Sequence, residues 1–250
     1  MKLTKHTQYI RSLRLKEEEL PNGTFPLTLP IFQQFRPLYF HPNVTYIVGE
    51  NGMGKSTLLE GLAVNVGFNA EGGTLNFNFS SFDSHSNLDE YIRVSKGTKR
   101  PRDHFFFRAE TYYNVASNIE EMDQDPYGGA KVIDGFGGKS LHAQSHGESF
   151  FAAFMHRFRG DGLYILDEPE AALSPTRQLS MLARIHELVE QGSQFIISTH
   201  SPLLMSYPEA VIIQLTEHGM EKVSLEETEH YTTMKQFFDD KDRLLYHLLQ

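Results

Sequence analysis

Val44-Thr45-Tyr46-Ile47-Val48 runs directly into Gly49-Glu50-Asn51-Gly52-Met53-Gly54-Lys55-Ser56-Thr57, and Leu58-Leu59-Glu60-Gly61-Leu62-Ala63 follows. The first five residues are β-branched or apolar and read as a buried strand. Thr57–Val66 reads as a helix. The nine residues between fit G-x-x-x-x-G-K-[ST], in the strand-to-helix setting where that pattern cradles phosphate. Its glycines let successive backbone N–H groups turn inward toward phosphate oxygens. The helix that follows adds unpaired N–H groups and the positive end of its dipole. Lys55 is expected to reach the terminal phosphates and the Ser56 hydroxyl to ligate Mg²⁺. Gly49, Glu50, Asn51, Gly52, Met53, Gly54, Lys55, Ser56 and Thr57 are therefore the expected phosphate-binding residues.

Working outward, other apolar runs punctuate the chain. Tyr9–Leu15, His104–Arg108, Leu163–Leu166, Phe195–Ser198 and Val211–Leu215 read as strands. Ser149–Phe158 and Leu179–Glu190 read as helices, and one or two amphipathic helices are expected from Thr233. Five of the eleven prolines fall between Pro21 and Pro42, where short strands and loops are expected rather than helix. Residues 71–104 suit an insertion or a lobe of hairpins, and the glycine-dense residues 125–147 suit loops. Strands alternating with helices predict an α/β fold: a mostly parallel central sheet, flanking helices and an antiparallel β lobe. The chain reads as a single domain over 1–250, with an insertion within 71–145 and a C-terminal helical extension over 216–250.

Composition narrows the function. The 250 residues carry 23 Lys and Arg against 32 Asp and Glu, a net charge of −9, which argues against a general basic coat for nucleic acid. There is no cysteine, so disulfide scaffolds, thiolate metal sites and thiol nucleophiles are excluded. No apolar run approaches the roughly 20 residues that span a bilayer. The first residues hold no apolar signal core, so a cytoplasmic location is expected.

Leu163-Tyr164-Ile165-Leu166-Asp167-Glu168 ends an apolar strand on two carboxylates, at the strand end where open α/β sheets bind ligands. Asp167 is expected to approach Mg²⁺, and Glu168 to orient or deprotonate an attacking water. Phe195-Ile196-Ile197-Ser198-Thr199-His200 places His200 just past another strand, where a donor reaches the terminal phosphate. Two further features stay open. Lys96, Lys99, Arg100 and Arg102 suit either nucleic-acid phosphates or a solvated loop. Tyr9, Arg11 and Arg14 suit either a nucleotide contact or ordinary core and surface roles.

Asp167-Glu168-Pro169 with Ala172-Leu173-Ser174-Pro175, followed by Ser198-Thr199-His200-Ser201-Pro202, resembles the ATP-binding-cassette superfamily of P-loop ATPases. The wording is most similar to small stand-alone ATPases of the DNA-repair and chromosome-maintenance branch. The resemblance implies ATP and Mg²⁺ as ligands, an ATP-dependent head-to-tail homodimer, and hydrolysis with Glu168, His200 and Lys55 in catalytic roles. Gln144-Ser145-His146-Gly147-Glu148 matches the family's signature, with His146 at the first glycine and Glu148 in place of Gln. It implies that Ser145, Gly147 and Glu148 contact nucleotide held by the second copy. Ser174 stands where the family's D-loop ends in Asp. The family's Q-loop Gln has two candidates here, Glu110 or Gln124; as Glu110 it would join Ser56 and Asp167 at the metal. The 34 residues between Glu110 and Ser145 are too few for long coiled-coil arms. The branch implies work in DNA repair or genome defence, where nucleic acid is a partner. The alternative is a transporter's nucleotide-binding subunit, reaching a membrane only through a separate protein.

Overall fold

A computed structural model describes residues 1–16, 23–74, 86–112, 117, 119, 123, 133 and 146–250. Its central sheet has six strands in the order β5-β6-β7-β3-β8-β9. These are β3 (Val44–Val48), β5 (Asp103–Arg108), β6 (Gly162–Asp167), β7 (Gln194–Ser198), β8 (Ala210–Thr216) and β9 (Gly219–Val223). Neighbours from β5 to β8 run parallel, and β9 closes the edge as an antiparallel hairpin on β8. A second sheet, β2-β1-β4, is antiparallel and forms the lobe; it consists of β1 (Ile10–Leu15), β2 (Leu38–Tyr39) and β4 (Ile92–Lys96). The expected α/β fold with a mostly parallel sheet and an antiparallel lobe is what the chain adopts.

The strand period of two splits the core into two layers. Tyr46, Tyr164, Leu166, Phe195 and Ile197 face one layer. There they meet α4 (His146–His156) and α5 (Pro175–Glu190), through residues such as Phe154 and Ile185. Ile47, Leu163, Ile165 and Ile196 face the other, with Leu58 and Leu62 of α2 (Lys55–Val66) and Ile10 and Leu13 of the lobe. Both faces of the sheet are covered, which is why its strands read as continuous apolar runs.

One side chain joins the two sheets. Gln194, fully buried, accepts from the backbone N–H of Tyr9 (3.0 Å) and Ile10 (2.9 Å) through Oε1. Its Nε2 donates to the carbonyls of Ile10 (2.8 Å) and His41 (3.0 Å).

Three local expectations need correction. The proline-rich stretch does hold a helix, the single turn α1 (Pro30–Gln33). Pro30 sits in its first turn, where a missing N–H costs nothing. Residues 86–96 form a short helix, α3 (Leu88–Tyr91), and β4, which pairs with distant β1 rather than with a local hairpin partner. The C-terminal extension begins with strand β9, and only then come α7 (Glu229–Asp239) and α8 (Lys241–Leu248). A further short helix, α6 (Pro202–Met205), follows β7. Among the described residues no helix is long and apolar enough to cross a membrane.

Candidate nucleotide site

The loop after β3 is built on left-handed glycines. Gly54, at φ +90°, caps α2, and a Cβ there would lie 3.1 Å from Ile31 and Leu29. Gly49, at φ +145°, lies so close to β8 that a Cβ would come within 2.6 Å of the Leu215 carbonyl oxygen. Both positions adopt a positive φ that L side chains rarely take, and at Gly49 the neighbouring backbone also leaves no room for a Cβ. The Lys55 ammonium folds back over this loop, donating to the carbonyls of Gly49 (2.9 Å) and Glu50 (3.1 Å). Burial lowers its affinity for the proton, opposed by the nearby charges of Glu168, Asp167 and Glu170.

Asp167, at the carboxyl end of β6, meets this loop. Its Oδ1 accepts from Ser56 Oγ at 3.2 Å and from Ser198 Oγ at 2.5 Å. Burial pushes the Asp167 carboxyl upward, against the pull of Ser198, Arg108 and Ser56. Arg108 ends β5 in register with Asp167, their side chains forming an ion pair at 3.9 Å. Arg108 is itself held by Glu60 of α2 at 2.5 Å, and Glu60 Oε1 accepts from the Ser86 N–H at 2.7 Å.

The next residue turns sharply. Glu168 adopts φ +50°, ψ +54°, a left-handed conformation that costs a non-glycine residue about 1–2 kcal/mol. Its N–H is pinned by the Ser198 carbonyl (3.1 Å) and hydroxyl (3.0 Å). The turn aims its carboxylate at His200, with Nε2 to Oε1 at 3.2 Å. The N–H of His200 donates to Glu170 Oε1 at 2.5 Å. On its other side, His200 Nδ1 lies 2.8 Å from Nε2 of His230 on α7.

The phosphate loop, the acid pair and the late histidine, read from separate stretches, thus occupy one place. Glu110 is exposed (84%), its carboxylate 3.7 Å from Arg108 and so linked to Asp167 through that guanidinium. Gly147 is buried and Glu148 exposed on the first turn of α4, with Arg177 3.5 Å from Glu148. Ser145 and Gln124 lie outside the described residues. Tyr9 takes the core role: it is buried and donates to the Gly192 carbonyl at 2.8 Å. Arg11 and Arg14 are exposed. Of the four clustered cations, Lys99 is paired with Asp161 at 2.5 Å.

Ser198, Glu170, Arg108 and His230 are the site residues that sequence reasoning passed over. Ser198 stood inside the quoted histidine motif and Arg108 ended a quoted strand, so both had a local signal. His230 had none.

The donor set fits Mg·ATP. Ser56 and Asp167 offer two hard oxygens 3.2 Å apart, one of them on a buried carboxylate, beside a glycine loop and a lysine.

Two family models match consecutive parts of the chain. One, described as "AAA domain", covers residues 29–144, and the other, described as "AAA domain, putative AbiEii toxin, Type IV TA system", covers residues 140–206. Among curated proteins, ABC transporter G family member STR2 of Medicago truncatula is 25% identical over 183 residues, 64% of this chain and 24% of that protein. Chromosome partition protein Smc of Methanocaldococcus jannaschii is 27% identical over 157 residues, 54% of this chain and 13% of that protein. The chain therefore spans less than a quarter of the length of either relative. The solved SMC head domain from Thermotoga maritima aligns over 87% of this chain and 99% of that one, with a TM-score of 0.43 and 15% identity. The phosphate loop lies in one matched segment and the acid pair and histidine in the other, and the chain is similar to ABC-type P-loop ATPases.

Proposed function

We propose that the chain binds ATP with Mg²⁺ on the Lys55 loop and hydrolyses it as an ATP-driven dimerisation switch. The observation that carries this reading is the convergence of Ser56, Asp167, Glu168 and His200 through contacts of 3.2 Å or less. When bound, Mg²⁺ would supply charge neutralisation on the phosphates, with Ser56 and Asp167 as its protein ligands and Glu110 as a further candidate. Lys55 exchanges its two loop carbonyls for phosphate oxygens. Glu168, fixed by its backbone turn, accepts the proton of the attacking water. His200 donates toward the charge that develops on the transferred group. Ser145, Gly147 and Glu148 reach the nucleotide of a second copy. Loss of the terminal phosphate removes the contact that favours the closed pair, so the pair opens.

The work done is DNA repair or genome defence in the cytoplasm. The description of one matching family names a toxin of a type IV toxin–antitoxin system, and one relative is a chromosome partition protein; both favour this over transport. Lys96, Arg100 and Arg102 are the exposed cations available to nucleic acid. The STR2 relative supports the second reading, a transporter subunit. Phosphate release with and without DNA, together with co-purification of a membrane protein, separates the two. Lys55→Ala is expected to abolish ATP binding on calorimetry. Glu168→Gln is expected to slow turnover by about 100-fold or more and to trap an ATP-bound dimer in sedimentation; unchanged turnover in either variant would overturn the assignment.

A further inference from the structure

We propose that a basic groove at the end of the sheet opposite the nucleotide site binds single-stranded nucleic acid. This rests on the reading of nucleic acid as a partner and supplies the place where it lies. The groove is a cavity of about 830 Å³ between the lobe and the β8–β9 edge of the central sheet. Its lining includes Asn43, just ahead of β3, and Glu209, just ahead of β8. Gly49 of the phosphate loop lies past the other end of β3, roughly 20 Å away along an extended strand.

Three cations line the groove from separate stretches: Lys5 ahead of β1, Arg36 ahead of β2 and Lys222 on β9. All three are exposed, and among the described residues none forms an ion pair. The acids nearby do not neutralise them. Glu209 is taken up by Lys2 at 2.7 Å and by the Asn43 amide at 2.7 Å. Glu221 pairs with Gln214 and so belongs to the opposite face of the hairpin from Lys222, which pairs with Ile213. On a chain of net charge −9, three uncompensated cations on one concave surface favour a polyanion. The aromatic in the groove narrows the choice. Leu38 and Tyr39 alternate on β2, so Leu38 enters the lobe core while Tyr39 projects outward, 70% exposed. A free ring beside unpaired cations suits unpaired bases stacked on the ring with their phosphates on the cations. A duplex hides its base faces, and an acidic peptide has none.

The basic surface continues beyond the groove. Gln8 Nε2 donates to the Phe40 carbonyl at 3.0 Å, fastening the segment that follows Lys5 to the groove wall. The same segment holds the Lys96–Arg102 turn: the Gly97 N–H donates to the Tyr9 carbonyl at 3.0 Å, and Thr98 Oγ1 to the His6 carbonyl at 3.2 Å. The exposed Lys96, Arg100 and Arg102 therefore extend the charge of the groove.

The test uses the whole chain without ATP and the anisotropy of a fluorescein-labelled oligothymidylate of about 20 nucleotides. The wild type should bind, and more weakly as salt rises. Arg36→Gln combined with Lys222→Gln should weaken binding at least ~10-fold and flatten the slope of log K against log salt by about 1.4. Tyr39→Ala should weaken binding about 10-fold at an unchanged slope, and Tyr39→Phe should keep wild-type affinity. Arg243→Gln, removing an exposed cation of α8, should change nothing. Wild-type affinity in the double variant or in Tyr39→Ala would overturn the proposal while leaving nucleic acid as a partner held elsewhere. Equal competition by polyglutamate would overturn it in favour of an acidic protein, and tighter binding of a duplex of the same length would remove the role of the ring and overturn it too. A wild type that binds no oligonucleotide ends the nucleic-acid reading and this proposal together, whereas phosphate release still decides ATP hydrolysis.

Discussion

The carboxyl ends of β6 and β7 and the first turn of α7 meet at His200, yet they hold their side chains by opposite means. The strand ends are fixed from all sides: every residue of β6 and β7 is buried, and Ser198 alone ties Asp167 to the Glu168 backbone. The α7 arm is fixed at one end only, by caps. Groups that must not move against each other lie on the sheet. His230, which meets His200 from the other side, lies on a helix otherwise free of the core.

The largest effect should come from breaking the sheet side. Glu60→Ala leaves the half-buried Arg108 without its close partner, and should destabilise the protein by about 3 kcal/mol in urea unfolding. Ser198→Ala removes the hydroxyl that bridges Asp167 and the Glu168 N–H, and should cost about 1–3 kcal/mol by the same measurement. A smaller effect is pH-dependent. Burial raises the Glu170 carboxyl above its ordinary 4.5, so the folded chain holds that proton more tightly than the unfolded one. The resulting penalty is absent below 4.5 and grows as pH rises from there through the raised value. The stability of Glu170→Gln relative to wild type should therefore climb over that window and then level off. On the arm, Phe238 is 74% exposed. Phe238→Ser should change stability by no more than about 0.5 kcal/mol, and a larger loss would show that α7 is anchored beyond its caps.

The same contrast explains what the sequence made legible. The phosphate loop, the acid pair and His200 each lie within a few residues of a strand whose apolar run is unmistakable, so local reading located them. The parallel sheet followed from strands that are buried on both faces. The lobe pairing of β1 with β4 was not legible, because its partners are some eighty residues apart. Arg108 and Glu60 meet across 48 residues, and His200 and His230 across 30. Such pairs leave no periodic trace, since each residue alone looks like an ordinary surface side chain. The α1 turn was missed because proline was read only as a breaker, whereas Pro30 serves as a starter.

The amide of Gln194 has one further consequence. Among the described residues no strand is shared between the lobe and the central sheet, and Gln194 supplies hydrogen bonds between the two. The amide hydrogens of Tyr9 and Ile10, both bound to one fully buried oxygen, can meet solvent only when the sheets part. They should therefore exchange with deuterium as slowly as the innermost strands, through global opening alone.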